Sequence, residues 1–293
     1  MDYAARIEQC LEKAVERATQ GGCPPLLSKA LHSAVFPGGA RLRPQLTLAV
    51  AAASGAGDAD AACVDGAAAA VELMHCASLV HDDLPCFDDA DLRRGKATVH
   101  KLYGEEIAVL AGDGLIVQAF QAMADGCCDN PMRLPALTAC LSSAVGPSGG
   151  IVAGQAWESE PRIKLQEYHC AKTGSLFVGA VSAGALAAGS DPQSWRPLGM
   201  KIGEAYQLAD DLLDARGNRE EAGKPVGQDQ NHTRPSAVEV YGLKGTLKRL
   251  ARIVEEAVQS IPDCEGSEGL KRLIRAQSER LVPADLATDM AAA

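Results

Sequence analysis

The chain has 293 residues, 47% of them hydrophobic, enough to bury a large core in one or two domains. Lys and Arg total 28 against 38 Asp and Glu, a net charge of -10, which argues against nucleic acid or an anionic membrane surface as the main partner. The start, Met1-Asp2-Tyr3-Ala4-Ala5-Arg6-Ile7-Glu8, lacks a signal-peptide core, and no later run approaches the roughly 20 uninterrupted apolar residues of a span, so a cytoplasmic protein without an integral membrane segment is expected.

Ala, Leu, Glu, Arg, Gln and Met dominate and alternating β-branched runs are missing, so the chain reads as all-α. Breaks fall at Gly21-Gly22-Cys23-Pro24-Pro25, Phe36-Pro37-Gly38-Gly39, Ser54 to Asp60, Leu84-Pro85, Asn130-Pro131, Gly146-Pro147-Ser148-Gly149-Gly150, Asp191-Pro192 and Gly223-Lys224-Pro225. About ten helices are expected between them, in a single domain over 1–293, because no linker or repeat divides the chain. The stretches 61–83, 101–126, 170–189 and 198–216 are apolar on most sides, as in helices buried inside a bundle. Cys63, Cys76 and Cys140 lie in Ala- or Leu-rich surroundings, and no C-x-x-C pair occurs, so free buried thiols are expected among the ten cysteines.

Two acidic clusters interrupt this apolar pattern. In the first, Asp82 and Asp88 are six apart, and an unbroken helix would point them about 120° from one another. Pro85 removes the backbone donor that such a helix needs, so the chain is free to bulge over Leu84 to Phe87 and return Asp88 to Asp82. His75 lies two turns before Asp82 on the same face, about 10 Å deeper, as a second anion contact. Asp91-Leu92-Arg93-Arg94-Gly95-Lys96 follows, and arginine beside metal-binding carboxylates suits the joint gripping of a diphosphate. In the second cluster, Asp210 and Asp214 are i and i+4 in a segment without breakers, about 6 Å apart at Cβ, with Gln207 one turn earlier on that face. Oxygen ligands without His or Cys suit a hard ion such as Mg2+ that shares substrate phosphate oxygens. A lone acidic string is often a solvated helix end; two inside apolar helices are too costly to be filler.

These residues resemble the trans-prenyltransferases, the farnesyl and geranylgeranyl diphosphate synthase family. The match runs in order through Gly38-Gly39-Ala40-Arg41-Leu42-Arg43-Pro44, Leu79-Val80-His81-Asp82-Asp83-Leu84-Pro85 to Arg93-Arg94-Gly95-Lys96, Ala111-Gly112-Asp113, Lys172-Thr173-Gly174, and Tyr206-Gln207-Leu208-Ala209-Asp210-Asp211. The resemblance implies an antiparallel helical bundle around a deep central cavity, usually a homodimer, with three Mg2+ between the clusters. It implies that Asp82, Asp83, Asp88 and Asp210 bind metal, with Asp211 and Asp214 in support. Arg93, Lys172, Thr173, Gln207 and Lys224 would hold the allylic diphosphate, and Arg43, His75 and Arg94 would hold isopentenyl diphosphate. The implied reaction is ionisation, condensation and proton loss, with the catalytic work on Asp82, Asp83, Asp88, Arg93, Lys172, Gln207 and Asp210. Released diphosphate can take the proton, and the sequence offers no obvious Glu/His dyad for that task.

Three positions depart from the family. Ala40 replaces the usual Lys and removes a cation from the isopentenyl site, leaving weaker binding or compensation by Arg41 as the alternatives. Ala97 replaces a usual Pro, and Arg234 stands where Lys is common. A growing prenyl tail extends below Asp82, where Ala77 and Ser78 form a candidate floor. An aromatic residue five before the first Asp often marks the farnesyl synthases of bacteria. Ala77 therefore favours geranylgeranyl over farnesyl diphosphate, unless Met74 or Phe120 closes the space. Ala77, Ala40 and Gly154-Gln155-Ala156-Trp157-Glu158 look like the pigment-pathway synthases of photosynthetic bacteria, which points to carotenoid or chlorophyll supply. A terpene cyclase fits less well: the N-D-x-x-S-x-x-x-E sequence is missing, and 4% aromatic residues are few for steadying carbocations. A non-catalytic partner subunit would have no need of both clusters.

Overall fold

The computed structural model describes residues 3–216 and 236–281, and these are mostly helical, as expected. The first half holds α1 (Tyr3–Thr19), α2 (Pro25–Val35), α3 (Leu42–Ala53), α4 (Ala61–Asp82), α5 (Val99–Tyr103), α6 (Glu105–Gly126) and α7 (Leu134–Val145). The second holds α8 (Ile151–Trp157), α9 (Leu165–His169), a π-helical turn (Cys170–Gly174), α10 (Ser175–Ala187), α11 (Arg196–Arg216), α12 (Ala237–Gln259) and α13 (Ser267–Leu281). The α-helices outnumber the expectation because some breaks carry weak sequence signals. Gly104, with φ of 90°, alone separates α5 from α6, and the π turn separates α9 from α10 without any proline. A two-residue antiparallel pair, β1 (Leu92–Arg93) and β2 (Lys96–Ala97), is a further addition to the all-α reading.

Local chemistry explains several boundaries. Pro25 opens α2, where a missing N–H costs nothing. Ser236 caps α12 by accepting from the Val238 amide at 3.2 Å, while Glu239 reaches back to the Ser236 amide at 3.5 Å. In α1, Ile7, Leu11, Ala14 and Val15 recur at helical spacing and are the residues that it buries.

Helix α4 is the centre of the largest core cluster, buried on nearly every side from Cys63 to Val80. It packs most extensively against α6, and small residues set the approach. A Cβ on Gly66 would lie 2.6 Å from the Ala122 carbonyl oxygen and 3.1 Å from Gly126 Cα. Fifteen residues further along α4, the His81 ring would overlap a Cβ on Gly112 of α6, so the two helices run antiparallel. Helices α10 and α11 are also antiparallel: Gly199 meets Val178, and Gly203 meets Gly174. By contrast, α3 and α10 run the same way, with Arg43 over the Phe177 ring and the Thr47 hydroxyl donating to the Ala180 carbonyl at 3.1 Å.

Two expectations need correction. The stretch 101–126 is not buried on most sides, since Leu102, Val109, Leu110 and Val117 are exposed on α5 and α6. Three helices, Asp58–Asp82, Glu105–Gly126 and Gln166–Ala187, are long and apolar enough to cross a membrane by length and composition. The fold buries 78% of the apolar window in the first, whereas it buries 39% of that in α6. Apolarity in the first therefore serves packing between helices. All ten cysteines are free, and Cys63 and Cys76 are buried as expected, whereas Cys140 is half-buried. The Cys63 and Cys127 sulfurs lie 2.9 Å apart between α4 and the end of α6.

The α4–α6 contact is testable. Gly66→Val should cost about 3 kcal/mol through overpacking, read as a lowered urea midpoint; an unchanged midpoint would mean that the two backbones have room to part.

Candidate active site

Helix α4 ends at Asp82, and the chain then folds back on itself. The Leu84 amide bonds the His81 carbonyl at 3.1 Å, the Asp88 amide bonds the Asp82 carbonyl at 2.9 Å, and the Ala90 amide bonds the Asp83 carbonyl at 3.1 Å. The return of Asp88 to Asp82 is present, although the helix stops there instead of continuing beyond a bulge. Pro85 lies inside this loop, where it has no helical donor to lose.

Arg93, on β1, donates to one oxygen of the buried Asp83 through Nε at 2.9 Å and Nη2 at 2.5 Å, with Asp82 at 3.9 Å. Burial pushes the Asp83 carboxyl up further than its bond to Arg93 lowers it, and Asp82 and Asp88 add repulsion. Burial also works against the Arg93 charge, but the bonded Asp83 and its acidic neighbours overcome this and raise the guanidinium. Arg94 has φ of 53° and donates to the Gly38 carbonyl, lying so close to Gly39 that a Cβ there would overlap its guanidinium.

The π turn connects this cluster to the second. Lys172 Nζ donates to Asp82 at 3.3 Å and to Glu158 at 2.6 Å, and Glu158 also accepts from the Tyr168 hydroxyl at 2.6 Å. The next residue, Thr173, donates to Gln207 at 3.1 Å, and Gln207 donates to Asp211 at 2.9 Å. Two glycines make room. A Cβ on Gly154 of α8 would overlap the Lys172 backbone, and one on Gly203 of α11 would lie 2.6 Å from Gly174 Cα.

On α11, Asp210 and Asp214 are half-buried while Asp211 is buried and accepts the Ala237 amide at 2.7 Å. Burial pushes the Asp211 carboxyl up, and Asp210 and Asp214 add to it. Gln207 lies one turn before Asp210 on α11, and its amide donates to Asp211. His169 lies near enough to feel Asp210, but burial dominates and holds its imidazole down at about 4.

A cationic recess adjoins the first cluster. Arg43 is buried, with its guanidinium 4.3 Å from the Phe177 ring centroid, 5.7 Å from that of Tyr206, and Nη1 3.4 Å from His75 Nε2. Its Nε has no hydrogen-bond partner among the described residues. Burial pulls the His75 imidazole well below its usual range, with Arg43, Arg94, Arg93 and Arg41 adding repulsion.

The carboxylates suit a hard divalent ion. Asp82, Asp83 and Asp88 repel one another, as do Asp210, Asp211 and Asp214, and all present oxygen alone. Among the described residues no three acidic, His or Cys side chains already converge on one point, so such an ion would draw further oxygens from its ligand or from water.

Residues 24–270 match the polyprenyl synthetase family. The chain belongs to it. This polyprenyl synthetase is 50% identical to a geranylgeranyl diphosphate synthase of Cereibacter sphaeroides, over 98% of this chain and 99% of that one. It is 38% identical to a farnesyl diphosphate synthase of Geobacillus stearothermophilus, over 88% of this chain and 89% of that one. Among solved structures it is similar to a geranyltransferase from Helicobacter pylori complexed with magnesium and isoprenyl diphosphate. That likeness has a TM-score of 0.78 and 28% identity, covering 94% of this chain and 98% of the other.

Most sequence-expected residues of this polyprenyl synthetase gather around the π turn and the Arg43 recess. Lys224 and Arg234 lie outside the described residues. Ala40 is exposed, and Arg41 does not replace the missing lysine. Its guanidinium is buried, donating to Glu8 at 2.8 Å, Glu72 at 2.8 Å and the Val35 carbonyl at 2.7 Å. Ala77 is buried on α4, and Ser78 turns its hydroxyl to the His75 carbonyl at 2.8 Å. Sequence reasoning gave no role to Glu158, Tyr168 or His169: Glu158 entered only as the last residue of the Gly154–Glu158 resemblance, and Tyr168 and His169 only lie near Lys172 in the chain.

The depressed imidazole of His75 has a consequence for stability. The unfolded chain takes up a proton near pH 6.5 that the folded chain refuses, so stability should fall as pH drops below about 6.5. Urea midpoints measured from pH 7.5 to 5.5 should show a shallower decline in His75→Gln, while an equal slope would assign the decline to other groups.

Proposed function

We propose that the chain condenses isopentenyl diphosphate with an allylic diphosphate to make geranylgeranyl diphosphate and release diphosphate. The observation that carries this reading is the π turn, which sets Lys172 on Asp82 and Thr173 on Gln207, joining both acidic clusters to donors for one anion. In this reading Asp82, Asp83, Asp88 and Asp210 hold Mg2+, three ions in all, with Asp211 and Asp214 in support. Bound Mg2+ supplies neutralising charge to the departing diphosphate.

The protein's own cations act on the same group. Lys172 and Arg93 exchange their carboxylates for diphosphate oxygens, and Thr173 and Gln207 orient it. Lys224 belongs to the same set by sequence. Arg43, His75 and Arg94 take the second diphosphate, where the buried Arg43 Nε awaits an acceptor. The allylic C–O bond breaks with its electron pair on diphosphate. The double bond of isopentenyl diphosphate then forms the new C–C bond, and a proton leaves to diphosphate.

Ala77 is buried on α4 and puts no ring below Asp82, which supports the twenty-carbon product, as does the 50% identical Cereibacter synthase. The Geobacillus relative keeps farnesyl diphosphate as the alternative. A homodimer joined through the exposed apolar face of α6, a cytoplasmic location and supply of a carotenoid pathway complete the proposal.

Feeding dimethylallyl, geranyl and farnesyl diphosphates separately with isopentenyl diphosphate and Mg2+ should give the twenty-carbon diphosphate by mass spectrometry, and chelation with EDTA should stop it. A fifteen-carbon end point would establish the alternative. Consumption of an allylic substrate alone would reveal a cyclase. Ala77→Tyr should shorten the product to fifteen carbons; an unaltered distribution would remove Ala77 from the floor.

A further inference from the structure

Glu158 terminates α8 and faces the π turn, a carboxylate to which the reaction assigns no part. Its Oε1 accepts from both Lys172 Nζ and the Tyr168 hydroxyl at 2.6 Å, and its Oε2 accepts from Gln155 at 3.2 Å. The side chain is 14% exposed and that of Lys172 is 21% exposed, so water does little to screen the pair. The bond from Lys172 to Asp82 is longer, at 3.3 Å. Lysine carries a compact charge on a flexible four-carbon stem, so its ammonium stays in place only where partners hold it.

We propose that Glu158 is the positioning residue for Lys172, fixing the ammonium at the mouth of the first aspartate cluster. This rests on the prenyltransferase reading above. When an anion and its ions take up Asp82, Lys172 loses one of its two carboxylate partners. Glu158 remains, held by Tyr168 on the same oxygen and by Gln155 on the other. Gly154 lies one turn before Glu158 against the Lys172 backbone, so the carboxylate and the lysine sit on two segments in direct contact. Glu158 thus acts through Lys172 and touches no reacting atom itself.

Two measurements on the purified full chain test this. Calorimetric titration with inorganic diphosphate and Mg2+ should show Glu158→Gln weakening affinity about tenfold, with Lys172→Ala at least as weak and the double variant no weaker than Lys172→Ala alone. Glu158→Asp should recover most of the affinity, and Tyr168→Phe should lose about threefold without any change of charge. In steady-state assays with geranyl and isopentenyl diphosphates, Glu158→Gln should lower kcat and leave KM for isopentenyl diphosphate unchanged. Wild-type affinity in Glu158→Gln, or losses that multiply in the double variant, would overturn the assignment. An inactive wild-type enzyme would defeat the prenyltransferase reading, while the diphosphate titration would still decide the role of Glu158.

Discussion

Backbone contact around the π turn Cys170–Gly174 fixes how the two acidic clusters stand to one another. Gly154 on one side and Gly203 on the other let α8 and α11 close onto it without an intervening side chain. The extra residue of a π turn rotates successive side chains relative to an α-helix, and such turns are frequent at functional sites. Here consecutive residues part company: Lys172 goes to Asp82 at the end of α4, and Thr173 goes to Gln207 on α11. One short turn thereby couples segments that lie far apart in sequence.

The charge pattern follows from this closeness. A chain of net charge -10 gathers further carboxylates at its centre, and it tolerates them by interposing cations. Arg93 on Asp83 and Lys172 on Asp82 and Glu158 reduce the repulsion locally. Burial still opposes ionisation of Asp83 and Asp211, so both clusters favour any divalent ion that can share oxygens with them. The Arg43 recess has the opposite character. Its buried guanidinium rests on aromatic faces beside a neutral-leaning histidine, with no carboxylate bonded to it among the described residues. The two halves of the site therefore differ in charge: one presents carboxylates, the other a guanidinium.

Much of this was legible in the sequence, for identifiable reasons. Pro85 cannot sit in a continuing helix, so the return of Asp88 to Asp82 could be foreseen, as could the pairing of Asp210 with Asp214 by helical spacing. Gln207 falls one turn before Asp210 as its spacing indicated, although the spacing did not say that its amide would donate to the buried Asp211. The contact of Glu158 with Lys172 was illegible. A glutamate following Trp157 reads as a solvated helix end, and only the approach of Gly154 to Lys172 turns it inward. The exposure of α6 was hidden for another reason: a helix apolar all round gives no sign of which face the protein itself will cover. Arg41 lies within the family motif, yet its donors are spent on Glu8, Glu72 and Val35, which hold α1 and α4 to the start of α3.

Helix α6 is also a partition. Its inner side meets α4 so closely that the His81 ring, adjacent to Asp82, lies over Gly112, while Val109, Leu110 and Val117 face outward. An α-helix with its side chains is only about 10–12 Å across. That exposed outer side is thus separated from the first aspartates by a single thickness of helix, and a shift of α6 moves the support beneath them. The exposed apolar side of α6 and the reaction geometry share one wall, so selection on either is felt by both.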